Sequence, residues 1–284
     1  MDLRLANAPT SWGVEDPSDE LNPPWQSVVA QIADAGFAGT ELGPLGYMPT
    51  DPELLRAELE DRGLQLVGGY VFEQLHTPDR ARAALDEAHR TADLIAAAGG
   101  ELLVIIPGFT PKREPLPDDG WRTIADTIRE IALIATDEHG LTPVLHPHAG
   151  THVEFEDEID RVAELTDVAL CLDTGHCVYA GIEPVALYEK LGERVVYFHF
   201  KAVDPGRRRR ALEAGLSFEQ AIGERVFCPL GAGTVDFAAL RAALDAHDFT
   251  GWATVEQDRL PTDSTTPAED AAASLAHLRK VGLA

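Results

Sequence analysis

Four polar residues follow short apolar runs in the second half of the chain: His146, Asp173, His199 and Glu256. Apolar runs of this length are typical of buried strands. If those strands are parallel, their carboxyl ends meet on one face, and the four side chains lie close enough to share one ion. Two imidazoles and two carboxylates suit a divalent metal, with Mn²⁺, Fe²⁺, Co²⁺, Zn²⁺ and Mg²⁺ all compatible.

The first of these positions belongs to a His-Pro-His sequence whose spacing leaves the fourth ligand open. Side chains two residues apart on a strand point to the same side, so His146 and His148 face the same way. Glu154 is a further candidate, as is His152, because both follow closely along the chain. The sequence therefore predicts Asp173, His199 and Glu256 as ligands, with a fourth from this segment.

The elements that must position these side chains alternate in type. Apolar runs predict eight strands, at residues 3–6, 39–42, 65–69, 102–106, 142–145, 169–172, 195–198 and 252–255. Apolar spacing of i, i+3 and i+4 predicts helices between them, including 28–35, 54–61, 80–98 and 124–138. Strict alternation predicts a parallel sheet, and eight strands close a (β/α)8 barrel. An open doubly wound sheet is the alternative, although no G-x-G-x-x-G follows the first strand.

The domain prediction is a single barrel over residues 1–284, with an insertion at about 203–229 after the seventh strand. This insertion contains four consecutive arginines, Arg207 to Arg210, and a short helical pattern near 217–222. We interpret the arginine run as a solvated loop, with phosphate capture as the alternative.

Composition excludes several classes of partner. The 284 residues carry a formal net charge of −25, which argues against nucleic acid and anionic membrane surfaces. The start of the chain lacks a signal-peptide pattern, and no apolar run approaches the roughly 18 residues of a membrane span, so we expect a cytoplasmic protein. Three cysteines, an odd number, lie in or beside apolar segments and are interpreted as buried free thiols. A homodimer or higher homo-oligomer is compatible with the sequence.

Several motifs resemble the xylose-isomerase-like TIM-barrel superfamily of sugar isomerases, epimerases and dehydratases. They are Asp173-Thr174-Gly175-His176, His199-Phe200-Lys201 and Val255-Glu256-Gln257-Asp258. The segment from His146 to Thr151, together with Glu154, resembles inosose (2-keto-myo-inositol) dehydratases. So do Trp12-Gly13, Gly39 to Gly43 and Leu230 to Phe237. The resemblance runs from about residue 6 to 278. Two positions depart from the superfamily pattern: His146 replaces a common Glu, and Ala202 replaces an acid.

The resemblance implies a (β/α)8 barrel that holds Mn²⁺, Co²⁺ or a similar ion and acts on polyhydroxylated keto compounds. The corresponding reaction is dehydration of an inosose or related keto-polyol through a metal-stabilised enediolate. A ketose 3-epimerase or aldose–ketose isomerase would use the same site, and a non-catalytic sugar-binding barrel is a third interpretation. Each reaction requires a base to remove a proton beside a carbonyl. The candidates for base and acid are His148, Glu154 and His176.

Three further residues are candidates for substrate binding. Lys201 could contact a substrate hydroxyl or oxyanion, or form an ion pair with a strand-end acid. Glu41 ends the second predicted strand and could bind substrate hydroxyls or form a salt bridge within the barrel. Trp12 could form an apolar wall against a sugar ring, or belong to the core. With so acidic a chain, we expect the substrate to be a neutral small molecule.

Overall fold

The computed structural model describes residues 1–110, 113–263 and 266–284 and contains strands around a central core. The strands are β1 (Asp2–Asn7), β2 (Gly39–Thr40), β3 (Gln65–Leu66), β4 (Gly68–Glu73), β5 (Leu102–Pro107), β6 (Thr142–Leu145), β7 (Ala169–Asp173), β8 (Val195–Phe200), β9 (Ala202–Val203), β10 (Phe227–Cys228) and β11 (Thr250–Val255). Nine of them form one parallel sheet in the order β3-β2-β1-β11-β8-β7-β6-β5-β4.

Helices follow the strands and pack around the outside of the sheet. They are α1 (Trp25–Ala35), α2 (Pro52–Glu60), α3 (Pro78–Ala98), α4 (Asp118–Leu133), α5 (Glu156–Leu165), α6 (Thr174–Ala180), α7 (Pro184–Leu191), α8 (Pro205–Glu213), α9 (Phe218–Gly223), α10 (Phe237–Ala246) and α11 (Pro267–Val281). One π-helical turn, Ile134–Glu138, prolongs α4. The alternation of strand and helix gives each strand of the sheet the same direction.

The sheet closes into a barrel through a strand that is divided in two. β3 and β4 lie at the two ends of the strand order, and only Val67 separates them in the chain. The Val67 amide donates to the Thr40 carbonyl (2.9 Å), while its own carbonyl accepts from the Leu102 amide (3.1 Å). Val67 therefore connects both neighbours, and the nine segments amount to eight barrel strands.

The predicted (β/α)8 barrel is confirmed, with differences at strand ends. β6 matches its prediction, whereas β8 continues two residues further than predicted, to Phe200. β2 is shorter than predicted and ends at Thr40. The chain continues along the barrel there, because the Glu41 amide donates to the Asn7 carbonyl and the Leu42 amide to the Gly68 carbonyl. This continuation brings Glu41 to the carboxyl end of the barrel.

The segment after β8 is structured rather than an extended loop. β9 and β10 form a two-stranded antiparallel pair, and α8 and α9 lie between them. The arginine run forms a helix and not the predicted loop, because Arg207 to Arg210 lie within α8; Arg209 and Arg210 are exposed, as a solvated segment requires, whereas Arg207 and Arg208 are half-buried. Arg208 donates to the Tyr179 carbonyl and Arg207 to the Arg225 carbonyl. Tyr179 lies in the last turn of α6, where carbonyls lack partners within the helix, so Arg208 satisfies one of them.

Burial places several sequence features in the interior. Trp12 belongs to the main hydrophobic core, and its indole N–H donates to Gln31 on α1. Cys171 and Cys177 are buried free thiols, whereas the free thiol of Cys228 is only half-buried. Among the residues that the structure describes, no helix has the length and apolar character needed to cross a bilayer.

Candidate metal centre

The two carboxylate oxygens of Asp173 have different roles: one accepts hydrogen bonds from backbone amides, and the other faces the site. It is the last residue of β7 and the N-cap of α6, where its Oδ1 accepts from the Gly175 amide (2.7 Å) and the His176 amide (2.8 Å). A Cβ on Gly175 would lie 2.6 Å from side-chain carbons of Lys201. Glycine is therefore required at position 175 by the close packing of α6 on the residue after β8. Oδ2 of Asp173 stays directed into the barrel mouth.

The other three predicted ligands meet around this oxygen. His146 Nε2 and His199 Nδ1 each lie 3.8 Å from Asp173 Oδ2. Glu256 Oε2 lies 3.1 Å from His199 Nδ1. All four side chains are buried. The structure thus brings together residues from four consecutive barrel strands, β6, β7, β8 and β11, as parallel packing requires.

The chemistry of this donor set fits a divalent ion. Asp173 Oδ2 and His199 Nδ1 are buried and make no hydrogen bond of regular geometry to the described residues, although Lys201 Nζ lies 3.2 Å from the first atom and Glu256 Oε2 lies 3.1 Å from the second. Buried polar atoms are rarely left in this state without a ligand or ion. Two imidazoles and two carboxylates also form the mixed nitrogen and oxygen set that Mn²⁺, Co²⁺ and Zn²⁺ accept. His146, Asp173, His199 and Glu256 could therefore hold one such ion.

Lys201 brings a positive charge into the same cluster. Its Nζ lies 2.7 Å from Asp258 Oδ1, 3.1 Å from Glu256 Oε2 and 3.2 Å from Asp173 Oδ2. Burial by itself would raise the pKa of Glu256, yet the charges of His199 and Lys201 hold it well below its usual range. Burial raises the pKa of Asp173, which the charges of Lys201 and His199 oppose. A bound divalent cation would replace the proton on His199 Nδ1 and would supply positive charge in its place, beside Lys201.

His148 and His176 lie beside the cluster with their rings in contact and inclined by 43°. Their ring centroids are 3.8 Å apart, and His176 Nε2 is 3.1 Å from Lys201 Nζ. Desolvation lowers the pKa of His148 to about 3 and that of His176 well below its usual value. Both imidazoles are therefore neutral near pH 7. His148 Nδ1 lies 2.8 Å from the Ala149 carbonyl, which can only accept, so Nδ1 carries the proton and Nε2 keeps its lone pair.

A cavity of about 270 Å³ opens over this cluster. Its apolar wall contains seven residues that were not candidates from the sequence: Tyr70, Phe72, Ile106, Phe109, Phe218, Ile222 and Leu260. Phe218 and Ile222 come from α9, so the segment after β8 supplies part of this wall. The acidic side chains in the lining are Glu15, Glu41, Glu219, Glu256 and Asp258, against the cations Lys201 and Arg259. The sequence identified cavity residues only where they directly follow a predicted strand, because only those positions can be assigned to the barrel mouth from the sequence.

Two predicted site residues lie elsewhere. Glu154 forms an ion pair with Arg113 (2.6 Å) and accepts from the Gly150 amide (3.1 Å), which fixes the turn after β6. Trp12 lies in the core, as described above, and forms no part of the cavity wall given by the lining residues.

His152, a further candidate, lies outside the cavity and gives a prediction about acid stability. Its ring packs on that of His76, with centroids 4.7 Å apart. Desolvation, followed by the charges of His76 and Arg113, lowers the pKa of His152 to about 4. In the unfolded chain a histidine pKa is about 6.5, so the unfolded state binds more protons between these values. The contribution of His152 to stability is complete above about pH 6.5 and is lost as the pH falls toward 4.

The expected result is that the free energy of unfolding falls less steeply on acidification in His152→Gln than in the unmodified protein. Urea titrations of both proteins between pH 7.5 and pH 4.5 measure this difference. An identical pH dependence in the two proteins would contradict the assignment of a neutral, buried His152.

Comparison with known proteins finds relatives over almost the whole chain. Residues 29–281 match the xylose isomerase-like TIM barrel family. An inosose dehydratase of Geobacillus kaustophilus (strain HTA426) is 31% identical over 276 residues, which cover 91% of this chain and 88% of that protein. The similarity therefore includes every strand that contributes to the cluster.

Two solved structures share the fold at lower identity. The structure of an L-ribulose 3-epimerase superposes with a TM-score of 0.73 at 19% identity and covers 100% of this chain and 95% of that chain. The structure of an IOLI protein with a zinc atom superposes with a TM-score of 0.74 at 15% identity, covering 98% and 97% respectively. At these identities the likeness concerns the barrel architecture.

Proposed function

The chain belongs to the xylose isomerase-like TIM barrel family, and from that premise we propose that it dehydrates an inosose or a closely related keto-polyol. The family and the names of its relatives make it an enzyme of the lyase or sugar isomerase and epimerase group. The observation that carries the proposal is the cluster of His146, Asp173, His199 and Glu256 at the floor of a cavity that also contains His148.

The metal part of the proposal assigns one divalent ion to those four residues. The zinc atom in the IOLI structure supports a metal in a barrel of this fold. Between the candidates for the fourth ligand, His146 is favoured over His148 and Glu154, because its Nε2 approaches Asp173 Oδ2 while the Glu154 carboxylate pairs with Arg113. Manganese or cobalt is the proposed ion. When bound, the ion would act as a Lewis acid toward the substrate oxygens.

The protein residues supply the proton transfers. We assign removal of the proton beside the ketone to His148, whose neutral ring keeps a lone pair on Nε2. Dehydration then breaks the bond between the next carbon and its hydroxyl, which leaves as water once it has received a proton. Asp258 is the proposed donor, because it lines the cavity beside Lys201 and because desolvation raises its pKa to about 6, so that a fraction of its carboxyl groups carries a proton near neutral pH. Two groups with separated pKa values can divide the roles of base and acid in this way.

The cavity lining supports a neutral substrate. Five carboxylates face two cations there, and the chain as a whole carries a formal charge of −25. A phosphate or carboxylate on the substrate would meet like charges in a partly desolvated site, where repulsion is stronger than in water. The apolar wall from Tyr70 to Leu260 could pack against the carbon-bound hydrogens of a polyol ring, while Lys201 binds a hydroxyl or an oxyanion.

The test is an incubation of Mn²⁺-loaded protein with inososes and ketohexoses, in which the substrate carries deuterium at the carbon beside the ketone. Dehydration in ordinary water is expected to give a product that has lost the deuterium and one molecule of water. Mass spectrometry detects both losses, and the conjugated product absorbs in the ultraviolet. A product that exchanges deuterium for solvent hydrogen but keeps its water would assign the enzyme to the epimerases or isomerases instead. Recovery of unchanged deuterated substrate would overturn both assignments.

A further inference from the structure

The carboxylate of Glu41 contacts two side chains of β8, those of Tyr197 and His199. The Tyr197 hydroxyl donates to Glu41 Oε1 (2.5 Å), and the same oxygen lies 2.9 Å from His199 Nε2. Thr254 Oγ1 forms a short hydrogen bond with the Tyr197 hydroxyl. All four side chains are fully or almost fully buried. The network therefore runs from β11 through β8 to the residue after β2, directly beneath the proposed ligands.

This network determines how the His199 ring presents itself to the site. A carboxylate only accepts hydrogen bonds, so the short contact with Glu41 places a proton on Nε2 of His199. The opposite nitrogen, Nδ1, then points toward Asp173 Oδ2 and Glu256 Oε2. Metal-binding histidines commonly donate their second ring N–H to a carboxylate, which fixes the tautomer and the ring orientation.

We propose that Glu41, held by Tyr197, is a positioning residue that fixes His199 with Nδ1 directed at the metal. The inference rests on the metal site of the proposed function and adds a residue that acts on the metal through His199 rather than as a ligand. Of the two sequence-based hypotheses for Glu41, a contact with substrate hydroxyls or a salt bridge within the barrel, the contact with His199 agrees with the second. The structural reason is that its Oε1 is already engaged by Tyr197 and His199, within the barrel wall.

A second interpretation of the same geometry makes Glu41 a ligand. Suitable atoms of Glu41, His199 and Glu256 lie within 4.8 Å of one another, so a carboxylate oxygen of Glu41 could reach an ion. The two interpretations differ in the effect of Tyr197. A tyrosine that supports a positioning residue alters metal affinity without being near the ion, whereas a direct ligand would depend little on that hydrogen bond.

The experiment measures the dissociation constant and stoichiometry of Mn²⁺ by competition with a chelator, using the full chain. Loss of such a supporting partner is expected to weaken metal binding by about 10- to 100-fold in Glu41→Gln, with one ion per chain still bound at saturation. Tyr197→Phe should weaken binding in the same direction but less. Tyr188→Phe is the matched control, since Tyr188 is also buried but packs against Phe198 and His247 on the far side of the barrel wall, and it should leave the constant unchanged.

Each other result has a definite meaning. An unchanged dissociation constant in Glu41→Gln, with only KM altered, would overturn the inference and favour a substrate contact. Loss of the bound ion in Glu41→Gln, with Tyr197→Phe unaffected, would also overturn it and make Glu41 a ligand. Equal weakening in Tyr188→Phe would reduce the effect to general destabilisation. Failure of the unmodified protein to bind Mn²⁺, Co²⁺ or Zn²⁺ would overturn the proposed metal site itself, whereas failure to dehydrate an inosose would leave the affinity comparison intact.

Discussion

Replacing Asp173 with asparagine is expected to remove stoichiometric binding of a divalent ion and to lower kcat on the order of 10³-fold, since a Lewis acid contributes several kcal/mol to such reactions. Asp173 Oδ2 is the atom around which His146, His199 and Lys201 converge. An amide oxygen keeps the shape of the carboxylate but lacks its charge. The metal content of dialysed protein and the rate of substrate loss measure the two effects.

Asparagine is preferable to alanine here because Asp173 is also the N-cap of α6. Alanine would remove the acceptor for the Gly175 and His176 amides and cost about 1 kcal/mol of stability, whereas asparagine also caps helices well. Asp51→Asn is the matched control, since Asp51 caps α2 through the equivalent two contacts, with the Glu53 and Leu54 amides, and is not among the residues that line the cavity. Full metal occupancy in Asp173→Asn would contradict the ligand assignment.

The four residues at the floor of the site could be predicted from the sequence, because the strand ends that carry them can be recognised there. A polar residue that ends an apolar run marks the carboxyl end of a strand. In a parallel barrel, all of these ends lie on the same face. His146, Asp173, His199 and Glu256 share this property, and the parallel barrel brings them together without further information. Alternation also identified the eight strands, although not the division of the third at Val67, which depends on hydrogen bonds to β2 and β5.

The walls of the site could not be predicted in the same way. Phe109 and Phe218 come from loops or from a short helix, and an isolated aromatic residue has the same appearance in a core as in a cavity. Trp12 shows the converse, because it was considered for the cavity and lies in the core. Glu154 was a reasonable candidate by position, but its partner Arg113 lies 41 residues away in sequence. Long-range ion pairs leave no local pattern, so the sequence could not reveal that this carboxylate was already engaged.

The same limitation applies to Glu41. Its place after the second strand was evident, yet its role depends on Tyr197, which lies 156 residues further along the chain. A tyrosine within a buried strand looks like any other core residue, and only the register between β8 and β11 places its hydroxyl near Thr254.

Replacing His148 with glutamine is expected to lower kcat by about 10²–10⁴-fold, the usual effect of removing a general base. The bound metal should remain, because His148 lies beside the ligand cluster rather than within the proposed set. Exchange of the substrate's carbon-bound deuterium with solvent should disappear together with dehydration, since both require the same proton removal. Single-turnover measurements with Mn²⁺-loaded protein follow both quantities.

The structure gives His148 the tautomer that this role requires. Its Nδ1–H donates to the Ala149 carbonyl, so Nε2 keeps its lone pair, and the ring lines the cavity. Desolvation lowers its pKa to about 3, which keeps the ring neutral but makes it a weak base in the free protein. Negative charge that develops on the substrate as the proton leaves would stabilise the imidazolium and strengthen the base during the reaction.

His152→Gln is the matched control for this substitution. It makes the same chemical change four residues further along the same segment, at a histidine that packs on His76 outside the cavity, and it should keep kcat within about twofold of the unmodified protein at pH 7.5, an effect well below 1 kcal/mol. If His148→Gln retains deuterium exchange but loses dehydration, His148 would be the proton donor to the leaving hydroxyl and the base would lie elsewhere. If it retains both reactions, the imidazole serves only to pack against His176.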